Sequence, residues 1–194
     1  MASGQAAYVV ARLLTASGPT LTALGEGHLR MHGAGEEALR YLQRAAELLE
    51  PMGATSLRGV ALNNLGEVYF ELCDLDAAAE CYRQTLEIGR ELDGPAEAYG
   101  LLNLGRIYLR QRRLGEAIAS FNEALPKHRE FGALDSETEV LQGLGTTQAE
   151  IGRRSDAMSS LTEALRIFEQ IGYQEQIVET AAMIESLVTG PSPR

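Results

Sequence analysis

The sequence predicts an all-α solenoid of about four helix–turn–helix repeats with an extra helix at each end. Three observations predict it. First, a Leu-Gly pair recurs at Leu24-Gly25, Leu65-Gly66, Leu104-Gly105 and Leu144-Gly145, so the glycines stand 41, 39 and 40 residues apart. Self-similarity at a fixed period of this size is the mark of a repeat architecture. Second, other slots keep step with the glycine: His28, Tyr69, Tyr108 and Gln148 three places on, then Ala78, Ala117 and Ala157 twelve places on, with Ala38 one place late in the first repeat. Leu42, Tyr82, Phe121 and Leu161 follow four past these alanines, and Ala45, Thr85, Ala124 and Ala164 seven past them. Third, the chain is 45% hydrophobic without a tryptophan and is rich in Ala, Leu and Glu, a composition for helices packed through leucines and small residues.

Each element follows from where the apolar period of three or four residues runs and where it breaks. Helices are expected at about 5–16, 20–32, 36–50, 55–72, 76–92, 96–111, 115–130, 135–151, 155–171 and 174–188. Cys73-Asp74, Arg112-Arg113 and Gly152-Arg153 mark turns inside repeats, and Gly53, Gly94-Pro95, Gly132 and Gly172 mark turns between them. The repeats are then about 19–53, 54–94, 95–132 and 133–172, within one solenoid over 1–188. The Gly/Pro/Ser-rich tail 189–194 is expected to be disordered. The last helix covers the final apolar face, and the first either caps the other end or is half of a truncated repeat. Pro126 falls inside a predicted helix, where it removes a donor and clashes with the preceding turn, so a kink or an early break is expected there.

Bulk properties exclude several functions. A net charge of −10 repels phosphate backbones and argues against direct nucleic-acid binding. No stretch approaches the ~20 apolar residues of a membrane span, and the run Tyr8 to Ala16 is interrupted by Arg12 with no basic residue before it. Cys73 and Cys81 make neither a disulfide framework nor a C-x-x-C pair, which points to a cytoplasmic setting and to cysteines serving as small apolar residues.

The slots L-G-x-x-Y, Ala, Phe/Tyr and Ala resemble the tetratricopeptide repeat (TPR) over about residues 19–171. The ~40-residue period and the Leu-Asn-Asn-Leu-Gly run from Leu62 to Gly66 resemble the arrays of kinesin light chain and of actinobacterial regulators in which TPRs follow a nucleotide-binding STAND module. The resemblance implies a right-handed superhelix that acts as an adaptor, its concave face lined by the first helix of each repeat. It also implies that an asparagine two places before the glycine, here Asn64 and Asn103, bonds the backbone of an extended peptide. The corresponding place holds Ala23 in repeat one and Gly143 in repeat four.

Helical spacing places further side chains beside those asparagines: Glu67 and Glu71 in repeat two, Arg106 and Arg110 in repeat three, Thr146 and Glu150 in repeat four. A positive stripe flanked by acidic ones would complement a peptide carrying an acidic residue with a basic one nearby. The same charges can instead neutralise one another across repeats as weak exposed pairs.

Other chemistry finds little support. His28 and His32 stand one turn apart, but His28 occupies a packing slot and no third ligand accompanies the pair. Gly33-Ala34-Gly35 opens a G-x-G-x-x-A string that lacks the preceding strand a dinucleotide site needs, and reads as the turn between two helices. Arg112-Arg113 and Arg153-Arg154 sit at equivalent turns, where cations favour helix C-termini. No catalytic group and no cofactor is expected. The chain reads as a non-catalytic module for a protein or peptide partner, with a bacterial signalling or transcription regulator as its expected setting. A homo-oligomer joined through apolar end faces and a sensor for a small ligand or signalling peptide are the alternatives.

Overall fold

The computed structural model describes residues 32–189; the helices expected at 5–16 and 20–32 and the tail beyond Thr189 lie outside it. Among the described residues the fold is all-α, with eight helices and no strand. They are α1 (His32–Leu49), α2 (Thr55–Glu71), α3 (Leu75–Leu92), α4 (Pro95–Arg110), α5 (Leu114–Glu130), α6 (Leu134–Glu150), α7 (Arg154–Ile171) and α8 (Gln174–Thr189). The chain divides into two compact units, Met1–Gly100 and Leu101–Arg194, with the boundary inside α4.

Turns inside repeats share one backbone geometry whatever residue occupies them. Seven places past the repeated glycine, Cys73, Arg112 and Gly152 take φ of 62°, 61° and 79°. The next residue's N–H then reaches back to the carbonyl five before it: Asp74 to Tyr69, Arg113 to Tyr108 and Arg153 to Gln148, at 2.8–2.9 Å. This left-handed C-terminal cap satisfies carbonyls that the ending helix would leave bare. At the first of these turns the Asp74 side chain also caps α3, accepting from the Ala77 N–H at 3.2 Å. Only glycine takes such a φ without steric cost. Cys73→Gly is therefore expected to stabilise the fold by about 1 kcal/mol and Gly152→Ala to destabilise it by about as much, shifts that chemical denaturation would resolve by their opposite signs.

Between repeats the left-handed residues are Gly53, Asp93, Gly132 and Gly172. The sequence places the second of these turns at Gly94-Pro95; the positive φ falls one residue earlier, on Asp93, a residue type that tolerates it better than most.

The repeated glycines let paired helices touch. A Cβ on Gly66 would stand 2.6 Å from the Tyr82 ring, one on Gly105 2.6 Å from the Phe121 ring, and one on Gly145 2.5 Å from Leu161. The glycine slot and the large apolar slot of the sequence are thus the two halves of one contact. In the first unit Ala45, Leu49, Ala61, Leu62 and Ile88 form one core cluster, and Ala38, Leu42, Leu65, Val68 and Cys81 another. In the second, Leu141, Ala164, Ile167 and Phe168 pack under Ile171 and Ile177. By contrast Gly115, in the first turn of α5, meets nothing within 4 Å. Gly115→Ala should therefore raise stability by roughly 0.5–1 kcal/mol, because it removes unfolded-state entropy without a clash.

Two expectations need correction. Pro126 does not end its helix: α5 runs unbroken to Glu130. Phe121, Ala124 and His128 are buried on both sides of the proline, and that packing outweighs the lost hydrogen bond. Gly33-Ala34-Gly35 is not a turn either, since α1 already begins at His32.

Candidate functional site

On α2 the residues Ser56, Val60, Asn63, Asn64, Glu67 and Glu71 recur at three- and four-residue intervals and so share one face. The N-terminal half of that face borders a cavity of about 650 Å³. Gly59, Val60, Asn63 and Asn64 of α2 form one wall, Thr85, Gly89 and Leu92 of α3 the floor, and Pro95, Ala96 and Tyr99 of α4 the other wall. The lining is mostly apolar, and the Tyr99 hydroxyl is its sole titratable group. Val60 is 50% and Tyr99 38% exposed, so apolar surface meets solvent at the mouth.

A local reason for this floor lies in the repeat pattern. Eleven places past the repeated alanine stand Leu49, His128 and Phe168, each buried, but in repeat two the slot holds Gly89. Without a side chain there, α4 begins directly against α3. A Cβ on Gly89 would lie 1.9 Å from the Glu97 backbone nitrogen. Farther along, Gly100 lies against Leu86, where a Cβ would come within 2.8 Å of the Leu86 nitrogen. The sequence carried this signal, a missing large residue at one slot, in a column lying beyond those used to define the repeat.

The other anticipated residues are placed as follows. Glu67 is half-buried and accepts a hydrogen bond from the Tyr82 hydroxyl at 2.8 Å, which ties it to the α2–α3 contact. Glu71 is exposed at the end of α2. Asn103 is 4% exposed, and its Oδ1 accepts from the Arg106 guanidinium at 2.9 Å. Arg110 is exposed at the end of α4, and Thr146 is half-buried on α6. At Gly143, which takes the asparagine place in repeat four, a Cβ would stand 2.5 Å from the Phe121 ring. Any side chain there would collide with that ring.

Most charged groups near the turns are engaged with neighbours. Arg112 meets Glu150 at 2.6 Å, and Arg113 donates to Glu116 at 2.7 Å while lying 4.5 Å over the Tyr108 ring. The hydrogen bond to Arg113 holds the Glu116 carboxyl below the usual carboxylate range. Arg129 bridges Glu137 and Glu163 at 2.7 Å each, linking α5 to α6 and α7. Burial pushes the Cys81 thiol up to about 11, so it stays protonated and unreactive at neutral pH. Cys73, expected to be a packing residue, is exposed instead. The side chains of His28 and His32 lie outside the described part. Among the described residues no three His, Cys, Asp or Glu side chains gather as a metal site would require, and no helix is long and apolar enough to cross a membrane.

Paired helices, a glycine receiving the next helix's large residue, and left-handed caps at fixed intervals recur along the chain. The family model for the tetratricopeptide repeat matches residues 16–91, 57–130 and 95–170. The chain belongs to the tetratricopeptide-repeat family. Among solved structures, this TPR chain is similar to a STAND-class signal-transduction ATPase with a tetratricopeptide-repeat sensor from Pyrococcus horikoshii. The TM-score is 0.71 at 18% identity, over 92% of this chain and 27% of that one. It is similar also to BtubC (BKLC) from P. vanneervenii, with a TM-score of 0.54, 15% identity and 95% of both chains covered. At this identity both likenesses concern the fold. A human relative, outer dynein arm-docking complex subunit 4, is 35% identical over 63 residues, 32% of this chain and 9% of that protein. The TPR chain thus spans about a quarter of the STAND protein and less than a tenth of the human relative.

Proposed function

We propose that the TPR chain is a non-catalytic interaction module, working in the cytoplasm, that binds a peptide or protein partner on the first-helix faces of its repeats. The observation that carries this reading is the uncharged cavity beside Asn64, with apolar residues exposed at its mouth. Exposed apolar surface around a concavity marks interaction sites on repeat scaffolds, and a preformed wall of helices costs little ordering on binding. Asn64 stands where its amide can meet a partner backbone. Arg106, Arg110 and Thr146 provide the corresponding polar faces on α4 and α6, where Asn103 orients Arg106 from a buried position. Membership in one module over 1–188 and service within a bacterial signalling or transcription regulator belong to the same proposal, supported by the fold-level likeness to a STAND protein.

The test compares partner capture from lysate of the source cell by wild type and by an Asn64→Ala, Val60→Asp double variant. Val60 is half exposed, so the substitution leaves the core intact. A partner held by wild type and lost by the variant is the expected result. Equal capture by both would remove the first-helix face of α2 from consideration.

A second reading, self-association, has its own observation: Val178 and Val188 on α8 are 69% and 67% exposed. A sedimentation coefficient that rises with protein concentration would favour it.

A further inference from the structure

We propose that the cavity between α2 and α4 receives an apolar side chain of an extended peptide, and that this peptide carries a Lys or Arg about three residues away, opposite Glu71. The proposal rests on the interaction reading above and names the partner's chemistry.

Three features of the first unit argue for it. The cavity has no charged lining residue, so a charged group entering it would lose hydration without a counter-ion. An aliphatic or aromatic side chain would instead cover Val60, Leu92 and Tyr99 and remove exposed apolar area from water. Asn64 stands at the same wall, and a carboxamide offers both a donor and an acceptor to a peptide backbone.

Charge supplies the rest. The shared face of α2 changes from neutral to acidic toward its C-terminus, ending in Glu67 and Glu71. Glu67 already accepts from Tyr82, whereas Glu71 projects at an exposed position. Seven residues of helix separate Asn64 from Glu71, a rise of about 10 Å, and an extended chain covers that distance in about three residues. A basic residue at that spacing meets Glu71 while the apolar side chain fills the cavity. An acidic one would be repelled.

Selection from a random peptide display library against the full chain tests this directly. The expected result is enrichment of an apolar residue and a Lys or Arg three places apart. Fluorescence anisotropy with the selected peptide should then show affinity falling roughly tenfold or more in Val60→Trp, which fills the cavity mouth, and in Glu71→Lys. Both positions are exposed, so thermal melting should match wild type. Selected peptides that are acidic beside the anchor, or that bind Val60→Trp unchanged, would overturn the proposal. If such peptides were still lost in Asn64→Ala, Val60→Asp, the broader interaction reading would survive it. Failure to select any peptide, with an uncharged small molecule found in the cavity instead, would overturn both.

Discussion

Gly89→Ala is expected to cost about 3 kcal/mol, the upper part of the range for over-packing. The new methyl would sit 1.9 Å from the Glu97 backbone nitrogen and 2.5 Å from the Glu97 Cα. Those atoms belong to the first turn of α4, so no side-chain rotation relieves the clash and the whole start of the helix must move. For a chain of this size the loss corresponds to a fall in Tm of roughly 6–12 °C. Gly94, five residues on in the turn that follows α3, provides the control. A Cβ there has its nearest neighbours at 3.9 Å, an ordinary contact, so Gly94→Ala should stay within about 0.5 kcal/mol of wild type. Thermal melting of the two variants side by side decides the matter. Equal melting would mean that α4 does not begin against α3.

Phe121→Ala is expected to cost about 3–5 kcal/mol, the range for emptying a buried aromatic site. The ring is fully buried and lies against Gly105 on α4 and Gly143 on α6. Neither glycine can fill the hole, having no side chain to rotate inward, so the cavity would persist. Phe121→Leu should cost less than about 1.5 kcal/mol, because leucine already fills the equivalent slots at Leu42 and Leu161. Urea denaturation of both variants gives the comparison. A small loss for the alanine variant would show that α4 and α6 close up around the vacancy.

These two sites illustrate which parts of the chain were legible in its sequence. The slot of Phe121 was, because a repeat writes the same contact several times: Tyr82 on Gly66, Phe121 on Gly105 and Leu161 on Gly145. The slot of Gly89 was not. It departs from Leu49, His128 and Phe168 in the same column, and a single departure from a period carries no meaning until its neighbours are known. Glu67 and Asn103 make the same point for the site. Helical spacing alone assigns each of them to the first-helix face of its own repeat. The Tyr82 hydroxyl engages the first and the Arg106 guanidinium the second, and these bonds depend on side-chain reach.

The sequence by itself determined the all-α repeat class, the turns within repeats, and the pairing of small with large residues across each helix pair. Those follow from local periodicity and from backbone preferences that act within a few residues. Only the tertiary structure decided that α5 continues past Pro126, that Asn103 is buried while Asn64 borders a cavity, and that this cavity lies between α2, α3 and α4. Each of these depends on how closely whole helices approach, a distance set by many side chains at once and by no single motif.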